Sequence, residues 1–131
     1  MTQILLVDDD TDILEILRLE FEDDPECHAD TATGVASALA LAREHSYDAI
    51  ITDWRMPVMN GTVFVSTLRR QGCKSPIIIY SGIDMDLEIK KTLEAGADFF
   101  IPRRGDPSYE FGELKKILKK VSVLSKRDVK K

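Results

Sequence analysis

Asp8, Asp9, Asp53, Ser81 and Arg103 are the residues whose types and placement can do chemistry together. Each stands at or just beyond the end of a short apolar run: Ile4-Leu5-Leu6-Val7 before the triplet Asp8-Asp9-Asp10, Ala49-Ile50-Ile51-Thr52 before Asp53, Ile77-Ile78-Ile79-Tyr80 before Ser81, and Phe99-Phe100-Ile101-Pro102 before Arg103. Carboxylates crowded on one rim raise each other's pKa values, and a hard divalent cation removes the conflict. Mg²⁺ prefers oxygen ligands in an octahedron and keeps several waters, so its open positions can accept phosphoryl oxygens. Phosphoryl transfer then needs a nucleophile in line and positive charge at the equatorial oxygens. A carboxylate can be that nucleophile and become an acyl phosphate. Asp53 ends a central apolar strand and is the candidate nucleophile. Asp8 and Asp9 are candidate metal ligands, the Ser81 hydroxyl can donate to a phosphoryl oxygen, and Arg103 can neutralise another.

These residues meet only if the runs that carry them are neighbouring strands. The pattern predicts strands over 3–8, 26–31, 47–53, 76–81 and 98–101, alternating with helices. The first helix runs from Asp10 to about Glu22, capped by Asp10 or Thr11, with Ile13, Leu14, Ile16, Leu17 and Phe21 inward. Thr33 is the expected cap of a second helix packing through Val35, Ala38, Leu39 and Ala42. The third helix buries Phe64, Val65 and Leu68 and stops near Arg70, with Gly72 beyond it. Asp84 or Asp86 opens a fourth that ends near Ala95-Gly96. The last runs from Pro107 or Ser108 to Leu124 on a stripe of Phe111, Leu114, Ile117, Leu118 and Val121. Such alternation gives an α/β fold, a parallel sheet covered on both faces. Ligands of such sheets sit outside the carboxyl ends of the strands.

A length of 131 residues, 44% of them hydrophobic, fits one compact domain with a core, and it is divided here into 1–124 and a basic tail or linker at 125–131. The apolar runs are too short to span a bilayer, and no basic segment precedes the first of them, so neither a membrane span nor a secretory leader is expected. Cys27 and Cys73 lie far apart and fit no metal spacing; as reduced thiols they suit a cytoplasmic protein. The net charge of −5 divides unevenly, −11 over residues 1–66 and +6 over 67–131. An acidic first half argues against nucleic acid as the main partner. Lys115, Lys116, Lys119, Lys120, Lys126 and Arg127 read as a solvated helix face and tail.

Four stretches resemble one known family. Ile4-Leu5-Leu6-Val7-Asp8-Asp9-Asp10 is similar to the opening acidic motif of response-regulator receiver domains, the phosphoacceptor modules of two-component signalling. Asp53-Trp54-Arg55-Met56-Pro57-Val58-Met59-Asn60-Gly61 resembles their phosphoacceptor segment, the most specific of the four signals. Ile77-Ile78-Ile79-Tyr80-Ser81-Gly82 resembles their strand ending in Ser or Thr, and Ala95-Gly96-Ala97-Asp98-Phe99-Phe100-Ile101 the approach to their basic residue. The likeness covers about residues 3–121.

The resemblance implies a flavodoxin-like, doubly wound five-stranded parallel sheet of order 2-1-3-4-5 with five helices. It implies that Asp53 takes a phosphoryl group from a sensor histidine kinase or phosphotransfer protein. Asp9, Asp53 and the backbone carbonyl of Arg55 would ligate Mg²⁺, with Asp8 acting through water. Ser81 would move toward the phosphoryl group and Phe100 would change rotamer with it. The fourth helix, fifth strand and fifth helix would form the face that partners read, and a homodimer could form there. Output would pass to a downstream protein or to an output domain. The implied role is signalling rather than enzymatic, with self-catalysed transfer and slow dephosphorylation.

One departure stands out. Where the family carries Lys-Pro after the fifth strand, this chain has Arg103-Arg104. Arginine keeps the charge but is planar and longer. Without the proline a cis peptide there is disfavoured by about 3 kcal/mol.

Three rivals share parts of the pattern. A degenerate receiver would keep the fold as a phosphorylation-independent interaction module. A haloacid-dehalogenase-like phosphatase would use Asp8 as nucleophile and Asp10 as general acid, but it leaves the Asp53 segment unexplained. A flavin site suits the acidic first loop poorly, because phosphate wants backbone N–H donors. Among the remaining residues, Tyr80 reads as core packing, His28 and His45 as solvent-facing or locally bonded, Lys90-Lys91 as an exposed helix face, and Arg104 as solvated.

Overall fold

The computed structural model describes the backbone of residues 1–129 and the side chains of residues 1–121. Strands β1 (Thr2–Val7), β2 (Cys27–Ala32), β3 (Ala49–Thr52), β4 (Ile77–Ser81) and β5 (Phe99–Pro102) alternate with helices α1 (Thr11–Glu22), α2 (Val35–Glu44), α3 (Gly61–Arg70), α4 (Asp86–Ala95) and α5 (Pro107–Val129). The strands form one parallel sheet in the order β2-β1-β3-β4-β5, as the family resemblance implied.

Side chains of a strand alternate between the two faces, so a run apolar at every position must be covered on both. Ile4, Leu6, Ile51, Ile78 and Tyr80 pack with Leu14, Leu17 and Phe21 of α1 and Leu114, Leu118 and Val121 of α5. The intervening Leu5, Val7, Ile50, Ile77 and Ile79 pack on the other face with Val35 and Ala38 of α2 and Phe64, Val65 and Leu68 of α3. Helix α4 is different: it buries Thr92 and leaves Leu87 62% exposed.

The helix boundaries have local causes. Asp10 accepts from the N–H groups of Asp12 and Ile13 and so caps α1, and Asn60 accepts from Val63 N–H and caps α3. Gly96 stops α4 with a φ of +126°, and a Cβ there would meet the Arg69 side chain at 2.8 Å. The Arg69 guanidinium fans across that corner, donating to the carbonyls of Cys73, Ser75 and Gly96 and to the Asp98 carboxylate.

Three expectations are corrected. Ile16 lies at the outer edge of the α1 stripe and is 50% exposed rather than inward. Thr33 does not cap α2; Gly34 occupies that position without a side-chain bond. The fourth helix opens at Asp86 as expected, where the charge suits the amino end, and Met85 before it holds the cap position without a side-chain bond. Helix α5 continues past Leu124 to Val129, and no glycine or proline interrupts residues 125–129. Residues 130 and 131 of the expected basic tail lie outside the described residues.

Candidate functional site

Parallel pairing brings the strand ends together. Val7 pairs with Thr52, Thr52 with Ile79, and Ser81 with Pro102. The ladder extends one residue further on each side: Asp53 N–H donates to Val7 O at 3.1 Å and Arg103 N–H to Ser81 O at 2.9 Å. Asp8, Asp9 and Asp53 each offer one carboxylate oxygen, and all three lie within 4.8 Å of one another. Asp8 is 2% exposed, Asp53 half-buried and Asp9 exposed.

The Asp8 oxygens are separately engaged. Oδ1 accepts from Asp10 N–H at 2.9 Å and Oδ2 from Arg103 Nη2 at 3.2 Å. Burial pushes the Asp8 carboxyl above the usual range; the Asp10 N–H opposes this, the Asp53 charge adds to it, and Arg103 opposes it again. Asp53 Oδ1 accepts from the N–H groups of Trp54 at 2.7 Å and Arg55 at 3.4 Å. An all-oxygen set with one carboxylate buried beside another fits a hard divalent cation such as Mg²⁺.

Arg103 lies across the rim. Its guanidinium sits 4.6 Å from the Tyr80 ring centroid, and Nη2 also donates to the Tyr80 carbonyl at 3.0 Å. Ser81 is buried, and its hydroxyl accepts from Ile83 N–H at 3.4 Å. Phe100 is half-buried against the α3-side core. The Arg55 side chain is exposed in the loop after β3. Asp10, the general acid of the phosphatase reading, has its Oδ1 occupied in capping α1.

The sequence matches the response regulator receiver domain family over residues 4–111. The chain belongs to that family.

Two curated relatives of the receiver are the nitrate/nitrite response regulator NarP of Escherichia coli, 32% identical over 127 residues, and the chemotaxis protein CheY of Halobacterium salinarum, 31% identical over 101. These alignments take in 95% and 77% of this chain, and 59% and 83% of the relatives respectively. The receiver thus spans little more than half the length of NarP. The solved receiver domain of the Francisella response regulator 1452 is 28% identical, with a TM-score of 0.80 over 98% of this chain and 99% of that one. Receiver domains are signalling modules. No helix among the described residues is long and apolar enough to cross a membrane.

The receiver contains two constellations that the motifs did not reveal. The first surrounds Trp54, next to Asp53. Its indole N–H reaches the hydroxyls of Thr62 at 3.2 Å and Thr92 at 3.0 Å; these lie 2.7 Å apart, and Thr92 donates onward to Glu88 O. The loop after β3 is thereby tied to α3 and α4. Gly61 makes room for it, since a Cβ there would fall 2.6 Å from Trp54 Cδ1. The Asn60-Gly61 pair that ends the phosphoacceptor-like segment is a cap followed by a close-approach site.

The second surrounds Glu110, 3% exposed in the first turn of α5. Its Oε1 accepts from the Tyr80 hydroxyl at 2.7 Å, and its Oε2 from Arg104 N–H at 2.6 Å and Asp106 N–H at 3.3 Å. Burial pushes the Glu110 carboxyl upward, but the Tyr80 hydroxyl and the two amides outweigh it and hold it below its usual range. Burial and the Glu110 carboxylate in turn push the Tyr80 phenol well up. Arg104, read as solvated, contributes its backbone N–H, a donor a proline would lack. The available signal was Asp106-Pro107 followed by Glu110: an acid before an N1 proline and an acid one turn in mark a helix start that can be capped reciprocally. Asp106 does accept from Tyr109 N–H at 3.3 Å. Among the described residues there is no cis peptide bond.

Proposed function

We propose that this receiver accepts a phosphoryl group on Asp53 from a sensor histidine kinase or phosphotransfer protein, with Mg²⁺, and thereby switches a protein-interaction face formed by α4, β5 and α5. The supporting observation is the convergence of the Asp8, Asp9 and Asp53 carboxylates within 4.8 Å at the strand ends, with Arg103 beside them.

Asp9, Asp53 and the Arg55 backbone carbonyl would hold Mg²⁺, with Asp8 acting through water. When bound, the ion neutralises the carboxylates and draws charge from the phosphoryl oxygens. Trp54 N–H fixes Asp53 Oδ1, which leaves Oδ2 to attack. An Oδ2 lone pair forms the new O–P bond while the bond from phosphorus to the donor breaks and its electrons leave with the donor. Arg103 shifts from Asp8 onto one phosphoryl oxygen, and the Ser81 hydroxyl turns from Ile83 to donate to another. Phe100 follows Ser81 inward. Residues 1–124 form the receiver and 125–131 a tail or linker. Output passes through a separate protein or a following domain in the cytoplasm, and phosphorylation can favour a homodimer on the switching face.

Treatment with acetyl phosphate and Mg²⁺, followed by intact-mass measurement, tests the reading. One phosphoryl adduct in the native chain and none in Asp53→Asn is expected. Absence of the adduct under conditions where another receiver reacts defeats it. The Arg103–Asp8 contact favours a second reading, a phosphorylation-independent interaction module in which an internal cation occupies the acidic pocket. That same absence would support it.

A further inference from the structure

We propose that Glu110 is the positioning residue for Arg103: through Tyr80 and the main chain of Arg104 it sets where the guanidinium lies at the mouth of the acidic pocket. Its consequence for phosphoryl transfer rests on the function proposed above; the placement itself rests on geometry.

Besides its bonds to Asp8 and to the carbonyls of Tyr80 and Ser81, Arg103 has two supports that lead to Glu110. The first is the platform beneath it. The guanidinium lies 4.6 Å over the Tyr80 ring, whose hydroxyl is fixed by Glu110 Oε1 in a buried hydrogen bond of 2.7 Å. The second is the main chain behind it. The peptide joining Arg103 to Arg104 presents its N–H to Glu110 Oε2 at 2.6 Å. One carboxylate on α5 therefore holds the ring on β4 and the backbone immediately following the cation.

The donors of Arg103 show that its pose is imposed. Nη2 bonds Asp8 and the Tyr80 carbonyl, while the buried Nε faces no acceptor among the described protein groups. A guanidinium free to choose would satisfy that donor. A guanidinium, unlike the ammonium of the family's usual lysine, also has a direction to be fixed.

A cap alone does not explain Glu110. Capping α5 needs only the Asp106 N–H, whereas Tyr80 and Arg104 lie outside the helix. A carboxylate is costly at a buried position, and a leucine there would extend the apolar stripe of Leu114 and Leu118.

The test uses the full chain with Glu110→Gln and Tyr80→Phe, each also combined with Arg103→Ala. Tyr80→Phe keeps the core ring and carries the experiment should Glu110→Gln fold poorly. Nitrogen-15 NMR first reads Arg103 Nε–H, assigned by its loss in Arg103→Ala. It should resonate apart from the exposed arginines and exchange slowly in the native chain, and it should merge with them in both single variants. The rate of phosphorylation by acetyl phosphate is then expected to fall about tenfold in each single variant, with no further fall when Arg103 is already alanine. An Arg103 signal unmoved in both variants overturns the proposal. So does an equal slowing with and without Arg103, which would make Glu110 a cap and nothing more. If the native chain takes no phosphoryl group, the proposed function fails while the NMR comparison still decides what Glu110 does.

Discussion

Arg103 Nη2 and Asp8 Oδ2, 95 residues apart in the chain, meet at 3.2 Å across the ends of β1 and β5, which are not neighbours in the sheet. The contact makes an internal cation a competitor for a carboxylate that a metal ion would use. Arg103→Ala is therefore expected to tighten Mg²⁺ binding by several-fold to about tenfold, the scale of one screened charge at this separation. A fluorescence titration following Trp54, which adjoins Asp53, checks it. Unchanged or weaker binding would mean that the pair does not compete with the ion.

Gly61→Ala should destabilise the fold by about 1–3 kcal/mol, the usual result of forcing an extra methyl into a packed site. The clash falls on the Trp54 ring at 2.6 Å and on its backbone Cα at 2.9 Å, so a rotamer change cannot absorb it. Urea unfolding gives the loss. Alanine at the open Gly34, where no atom approaches within 4 Å, is the control for adding a methyl without a clash.

Arg104→Pro, which restores the residue usual in the family, is expected to destabilise this receiver by about 1.5–3 kcal/mol, the usual worth of a hydrogen bond to a charged group. The substitution removes the N–H that meets Glu110 Oε2 at 2.6 Å. Chemical denaturation of the variant beside Arg104→Ala, which keeps the N–H, separates this loss from any effect of the side chain. Equal stability of the two would show that the Glu110 contact contributes nothing.

Stability should decline on acidification. Glu22 is held below its ordinary value of 4.5 chiefly by Ala29 N–H, with burial opposing and Arg18 assisting. Asp30 is held below 3.8 chiefly by the Tyr47 hydroxyl, with burial opposing and His28 assisting. A carboxyl whose folded pKa lies below its unfolded one stabilises fully above the unfolded value and loses that contribution as the pH falls through the folded value. The loss therefore sets in below about pH 4.5. Asp8, shifted upward by burial, runs the other way and blunts the decline. Urea midpoints between neutral and strongly acid pH give the slope, which Glu22→Gln should flatten. An unchanged slope would contradict the assignment to Glu22.

The acidic rim was legible because each of its residues follows a short apolar run, and parallel strands carry such ends to one edge. Strand order was not legible from alternation, which several topologies satisfy, and it came from the family likeness. Ile16 was misplaced because a single period cannot say how wide a buried stripe is, and Ile16 is half exposed. Tyr80 and Glu110 escaped for a different reason. One reads as the last member of an apolar run and the other as one charge among many in α5, and only tertiary structure brings their polar ends together across 30 residues. The use of Arg104 was invisible because its backbone acts there, and side-chain chemistry is no guide to a peptide N–H.

The sheet also acts as a partition. The side chains packed on its α1 and α5 side and those on its α2 and α3 side form two separate apolar compartments. Damage on one side should go unnoticed on the other: Leu114→Ala and Phe64→Ala, which belong to different compartments, are expected to lower stability by amounts that sum to within about 0.5 kcal/mol in the double variant. Leu114→Ala with Leu118→Ala, neighbours in one compartment, should depart from the sum. A receiver built this way can vary the lining of one chamber without retuning the other.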